Sequence, residues 1–158
     1  MEFESLPTTP TAEELVDQAF SRAARAGRAK HGVEAQESML QTASNVLADN
    51  LANVVRAWPD FDELDPFYRE LAEAVLGSAD EFHVDEAAEG GSVDALRRSL
   101  SELSWASRKT KELGREYQGR VRGKDPDAAR KIRKQAFARM ADVVDEVEGD
   151  LARVAAAR

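Results

Sequence analysis

Two histidines, His31 and His83, are the first residues that could do chemistry, and neither has a companion. A zinc site on a helix needs ligands three or four residues apart, so that one face presents them together, and neither histidine has an H-x-x-x-H or H-E-x-x-H companion. Both fall in expected loops and read as solvated surface. The chain has no cysteine, which excludes disulfides, thiolate metal sites and a cysteine nucleophile. Asp60-Phe61-Asp62-Glu63-Leu64-Asp65 opens like a calcium loop. Leu64, however, stands where the third ligand belongs, and the sixth position lacks its glycine, so a turn and a helix cap account for it better. A phosphate-cradling loop needs G-x-x-x-x-G-K-[ST] after a strand; Gly123-Lys124-Asp125 supplies a lysine and then an aspartate where a hydroxyl is required. No serine has a histidine and a carboxylate arranged around it. No catalytic residue, metal ligand or cofactor is therefore expected in this chain.

What remains is charge. The 158 residues carry a formal net charge of −8, which taken alone disfavours a nucleic-acid partner, but the bases are bunched. From Arg108 to Arg139 there are twelve Lys and Arg against four Asp and Glu, and from Arg22 to Lys30 four bases and no acid. The first stretch holds Arg108, Lys109, Lys111, Arg115, Arg120, Arg122, Lys124, Arg130, Lys131, Arg133, Lys134 and Arg139; the second holds Arg22, Arg25 and Arg28, spaced three apart, and Lys30. A basic cluster with little compensating acid is the electrostatic footprint of a phosphate backbone, because each neutralised phosphate releases condensed counterion. The same run also fits a solvated charged face. Trp58, Phe61, Phe67, Tyr68, Trp105 and Phe137 could stack on bases, but they fall on or beside apolar stripes and read as core.

The elements that must position these bases are helices throughout, because proline and glycine sit at the joints and apolar residues recur at spacings of three and four. A first helix is expected over about 12–26, opened by the capping box Thr11-Ala12-Glu13-Glu14 and closed near Gly27. A second, over about 33–57, aligns Leu40, Ala43, Leu47, Leu51, Val54 and Trp58 and stops at Pro59. Asp65-Pro66 starts a short third helix over about 66–76, followed by an acidic loop over 78–91. Ser92 is placed to cap a fourth over about 92–118, with Gly119 and Gly123 in the following turn. Asp125-Pro126 starts a fifth, expected to run unbroken over 126–158 on the heptad seam Phe137, Met140, Val144, Val147, Leu151 and Val154. The expected fold is one all-α domain, an antiparallel bundle of four long helices with the short helix across one end. The last residues carry no stop signal, so the helix is expected to continue and the chain reads as truncated. No apolar run approaches the roughly 18 residues needed to span a bilayer, and the N-terminus is acidic where a signal peptide would be basic, so a cytoplasmic monomer is expected.

Three stretches resemble the N-terminal domain of the Nog (nucleolar GTP-binding) proteins, relatives of the Obg GTPases that act in large-ribosomal-subunit assembly. They are Leu6-Pro7-Thr8-Thr9-Pro10-Thr11-Ala12-Glu13-Glu14-Leu15, Trp58-Pro59-Asp60-Phe61-Asp62-Glu63-Leu64-Asp65-Pro66-Phe67-Tyr68, and Arg130-Lys131-Ile132-Arg133-Lys134-Gln135-Ala136-Phe137-Ala138-Arg139-Met140. Lysine is scarce beside arginine, and with the surplus of carboxylates the composition resembles that of proteins from salt-loving archaea, suggesting an archaeal member. The resemblance implies a helical bundle that contacts ribosomal RNA of the large subunit, with Arg130, Arg133, Lys134 and Arg139 as the positions that match the family's basic motif. It also implies a GTPase domain downstream, binding GTP and Mg, as a further partner of this domain in the full-length protein. A stand-alone helical adaptor that binds an acidic protein partner is the alternative.

Overall fold

The computed structural model describes residues 8–59 and 91–157, and among these every regular element is a helix. They are α1 (Ala12–Arg28), α2 (Gly32–Arg56), α3 (Gly91–Val121), α4 (Pro126–Glu146) and α5 (Glu148–Ala156). The expected short helix over 66–76 and the acidic loop lie outside the described residues, apart from Gly91 at the start of α3.

The start signals act as their chemistry dictates. Thr11 Oγ1 accepts the Glu14 N–H at 3.1 Å while Glu14 Oε1 accepts the Thr11 N–H at 2.8 Å, the reciprocal capping box. Asp125 Oδ1 accepts the Ala128 N–H at 2.9 Å, with Pro126 at the first helical position. Three boundaries differ from expectation. Helix α1 runs through Gly27 to Arg28 because this glycine is a contact point, not a stop: a Cβ there would lie 2.7 Å from Met39 Cγ. Helix α3 passes Gly119 and ends at Val121, which places Arg120 on the helix and leaves only Arg122, Gly123 and Lys124 in the turn. Its start at Gly91 precedes Ser92, whose side chain lies outside the described residues.

The last helix is two. Val147 takes φ −104°, ψ 14°, and its N–H reaches Val144 O, three residues back, at 3.1 Å, a locally tightened turn. The seam survives the break: Met140, Val144, Val147, Leu151 and Val154 are buried, and Phe137 is half-buried. A polar clasp draws α5 onto α3, with Ser99 Oγ donating to Asp150 Oδ1 at 2.8 Å and Arg153 Nη1 donating to Ser99 Oγ at 3.0 Å.

Pairs across the helices give their directions. Asn50 Nδ2 donates to Gln18 Oε1, and Met39 lies against Gly27, so α1 and α2 are antiparallel. Ser107 Oγ donates to Ala48 O at 2.7 Å and Gln118 Nε2 to Glu37 O at 3.4 Å, which makes α2 and α3 antiparallel. Tyr117 meets Arg139 while Ser99 meets Asp150, so the last two helices run back along α3. Helix α4 also touches α1, closing a ring in the order α1, α2, α3, α4, and α2 meets α4 across the centre. The core is the aligned apolar stripes: Leu15 of α1; Leu40, Leu47 and Leu51 of α2; Leu96, Leu103 and Leu113 of α3; Met140 and Val144 of α4; and Leu151 of α5 are all buried.

Candidate nucleic-acid interface

Antiparallel packing decides where the bases go. The C-terminal ends of α1 and α3 and the N-terminal ends of α2 and α4 share one end of the bundle: a Cβ on Gly32 would touch Pro126 Cγ at 3.9 Å, so the α1–α2 and α3–α4 connections lie side by side. Both connections turn on a glycine with positive φ, Gly32 at 59° and Gly123 at 76°, a backbone that other residues rarely adopt. The two basic stretches, some eighty residues apart in sequence, therefore meet. The cations in the last turns of α1 and α3, Arg25, Arg28 and Arg120, also oppose the negative ends of those helix dipoles, so part of their placement is explained by helix stability.

Contacts sort the sequence-predicted cations into committed and uncommitted ones. Lys109 pairs with Glu112 at 3.8 Å, Arg120 with Glu116 at 3.2 Å, Arg122 with Glu37 at 3.8 Å, and Arg130 with Asp127 at 3.0 Å. These pairs are largely solvated and weakly held. Arg120 also lies over the Tyr117 ring, 4.5 Å from its centre. Arg139 Nη1 donates to Tyr117 Oη at 3.4 Å, and this hydrogen bond, more than any neighbouring charge, raises its pKa above the ordinary arginine value.

Arg133 is the exception among the family-motif residues. Its Nε donates to Oε1 of the buried Gln36 at 2.9 Å, and its guanidinium lies 5.0 Å from the centre of Phe137, which stacks on Phe20 with centroids 4.3 Å apart. Burial, with the like charge of Arg130 second, lowers its pKa. Arg133 thus pins α4 to α2 and α1, and belongs as much to packing as to any surface. Arg22, Arg25, Arg28, Arg108, Lys111, Arg115, Lys124, Lys131 and Lys134 are exposed and make no ion pair among the described residues. Of the aromatic side chains considered for stacking, Trp58 is buried and Trp105 and Phe137 are half-buried against the core; Phe61, Phe67 and Tyr68 lie outside the described residues.

A search of protein families matches residues 3–158 to the NOG1 N-terminal helical domain. The chain belongs to that family. A relative from the archaeon Methanocaldococcus jannaschii, itself an uncharacterized protein, is 26% identical over 166 residues, covering 99% of this chain and 43% of the relative. The chain thus spans less than half the length of that protein. In this NOG1-type bundle the described residues include no group of three or more His, Cys, Asp or Glu placed to hold a metal ion, and no helix long and apolar enough to cross a membrane. His31 is the N-cap residue of α2, exposed and without a side-chain capping bond, and His83 lies outside the described residues.

Sequence reasoning missed Arg56, which reaches the α2–α3 groove beside Arg108. It stands alone near the end of α2, away from both basic runs, and only the cross-helix register reveals its neighbour. Gln36 was missed likewise, since a polar residue on a helix flank gives no sign of being buried.

Proposed function

We propose that this chain is the ribosomal-RNA-docking domain of a GTP-binding protein acting in large ribosomal subunit biogenesis. The observation that carries the reading is the meeting of the two basic stretches at one end of an otherwise acidic bundle, with exposed cations that no carboxylate of the described residues neutralises. Such an end attracts a polyanion and releases its counterions, a sequence-tolerant attraction that places a domain without reading bases. Membership of the NOG1 family supports ribosomal RNA as that polyanion, and the greater length of the archaeal relative supports a parent protein with further domains. GTP hydrolysis belongs to that remainder, and this chain contributes placement.

The test is a competition. Labelled large-subunit ribosomal RNA, bound by the purified chain at moderate salt, is challenged with unlabelled large-subunit RNA, small-subunit RNA of equal length, and polyglutamate. The proposal expects large-subunit RNA to compete best, through the shape in which its fold presents the phosphates and not through its bases. Equal competition by both RNAs would reduce the role to non-specific binding, and displacement by polyglutamate alone would mark a protein adaptor.

A further inference from the structure

The uncommitted cations do not form one patch. Lys131 and Lys134 project from α4, whereas Arg108, Lys111 and Arg115 sit on α3 at spacings of three and four, which keeps them in one row along the helix. The row borders α2. On the same edge Ser107 bonds Ala48 O, Gln118 bonds Glu37 O and Arg122 pairs with Glu37, while Tyr117, nearly half a turn away, meets Arg139 of α4. In the ring of helices the α2–α3 flank lies opposite the α4–α1 flank, and the turn carrying Arg122 and Lys124 joins them over the end.

The row leads to a cleft. Ala52, Val55 and Arg56 of α2 and Ser104, Ser107 and Arg108 of α3 line a shallow, open cleft of about 270 Å³. Its floor is made of small side chains, and its two charged members are both cations. The Arg56 guanidinium is steadied by Asn53 Oδ1, and the Ser107 hydroxyl proton is spent on Ala48 O; neither holds an anion among the described residues. The acids of this part of α3 are turned elsewhere, Glu112 to Lys109 and Glu116 to Arg120. Like charges three and four residues apart destabilise a helix when nothing neutralises them, so a row of three, in a chain with acid to spare, fits a surface completed by an anion from outside.

We infer that the α2–α3 flank is a second RNA contact, in which Arg115, Lys111 and Arg108 track a sugar–phosphate backbone from the basic end to the cleft, where Arg56 and Arg108 close on one phosphate. Arg108 to Arg122 spans on the order of 20 Å along the helix, enough for several successive phosphates of one strand. The inference rests on the RNA-docking reading and adds a direction to it: the strand held at the basic end of the bundle continues along α3.

Three variants test it in salt titrations of binding to a large-subunit ribosomal RNA transcript: Arg108→Gln with Lys111→Gln and Arg115→Gln on the flank, Arg56→Gln in the cleft, and Lys131→Gln with Lys134→Gln on α4. Circular dichroism should stay unchanged in all three, since these side chains are exposed and hold no other described element in place. Each lost phosphate lowers the slope of log K against log salt by roughly 0.7 to 0.9. The flank variant should therefore lose about two units of slope. Arg56→Gln should lose up to one, and little more when added to Arg108→Gln, because the two share a phosphate. A flank variant with the parent's slope, beside a weakened α4 variant, overturns the inference and leaves RNA docking intact. An unchanged Arg56→Gln slope removes the cleft from the contact. A parent chain that binds no RNA sinks both, and one that binds polyglutamate more tightly than RNA at equal salt assigns the flank to an acidic protein.

Discussion

Arg133 and Lys134 are neighbours in one basic run, yet their substitution should read out differently. Lys134 is exposed and unpaired among the described residues, whereas Arg133 bonds buried Gln36 and covers Phe137. Replacing Arg133 by glutamate removes a charge-assisted hydrogen bond and a cation–π contact and sets a carboxylate over a ring face, for a loss of about 1–3 kcal/mol. Lys134→Glu should fall within roughly 0.5 kcal/mol of the parent. Urea unfolding of the two variants checks this, and it means that a charge-reversal test of RNA binding should spare Arg133. The cap of α1 makes a second residue-scale prediction. Thr11→Ala should cost about 1 kcal/mol. Glu14, whose pKa is lowered chiefly by the hydrogen bond from the Thr11 backbone, binds its proton less readily folded than unfolded. Its contribution is therefore present above the ordinary carboxylate range and fades as pH falls through and below it. The melting temperature of Glu14→Gln should approach that of the parent at low pH; a difference that persists undiminished there would contradict the assignment.

At the scale of elements, α3 carries two glycines of opposite meaning. Gly114 sits where α3 presses on α2, and a Cβ there would run into the Ser44 side chain, so Gly114→Ala should destabilise by about 1–3 kcal/mol. Gly119 has open space and lies inside the helix, so Gly119→Ala should stabilise by roughly 0.5–1 kcal/mol. Thermal unfolding of the pair gives both signs in one experiment. The contrast also shows where the sequence is legible. Each stripe that recurs every three or four residues, from Leu40 to Trp58 and from Leu96 to Tyr117, is buried as its spacing implies. Caps built from Thr11 and Asp125 were equally readable, because their chemistry is local. Gly27 and Gly119 misled, since a glycine signals permission to turn and not the turn itself. The break at Val147 left no trace in the seam, because a single tightened residue keeps the apolar phase. What escaped entirely depended on register between helices: the burial of Gln36 and the approach of Arg56 to Arg108.

For the whole molecule, the consequence of antiparallel topology is a separation of charge that the net value of −8 conceals. The candidate interface was legible as composition, in two basic stretches, but their meeting follows only from the directions of α1 and α3 and the adjacency of Gly32 and Pro126. An attraction of this kind needs no nucleotide pocket. Calorimetry of the purified chain should accordingly find no stoichiometric micromolar binding of GTP or GDP, in keeping with the lack of a phosphate-cradling loop in its sequence. Salt dependence is the most direct measure of phosphate contact at the basic end. Affinity for a large-subunit ribosomal RNA transcript is measured across a series of salt concentrations for the parent and for Lys124→Glu with Lys131→Glu and Lys134→Glu, all exposed and unpaired among the described residues. A steep linear fall of log K with log salt is expected for the parent and a slope smaller by about two to three units in the variant, with weaker binding at every concentration. The same affinity and the same slope in both proteins would contradict this and return the basic end to the status of a solvated face.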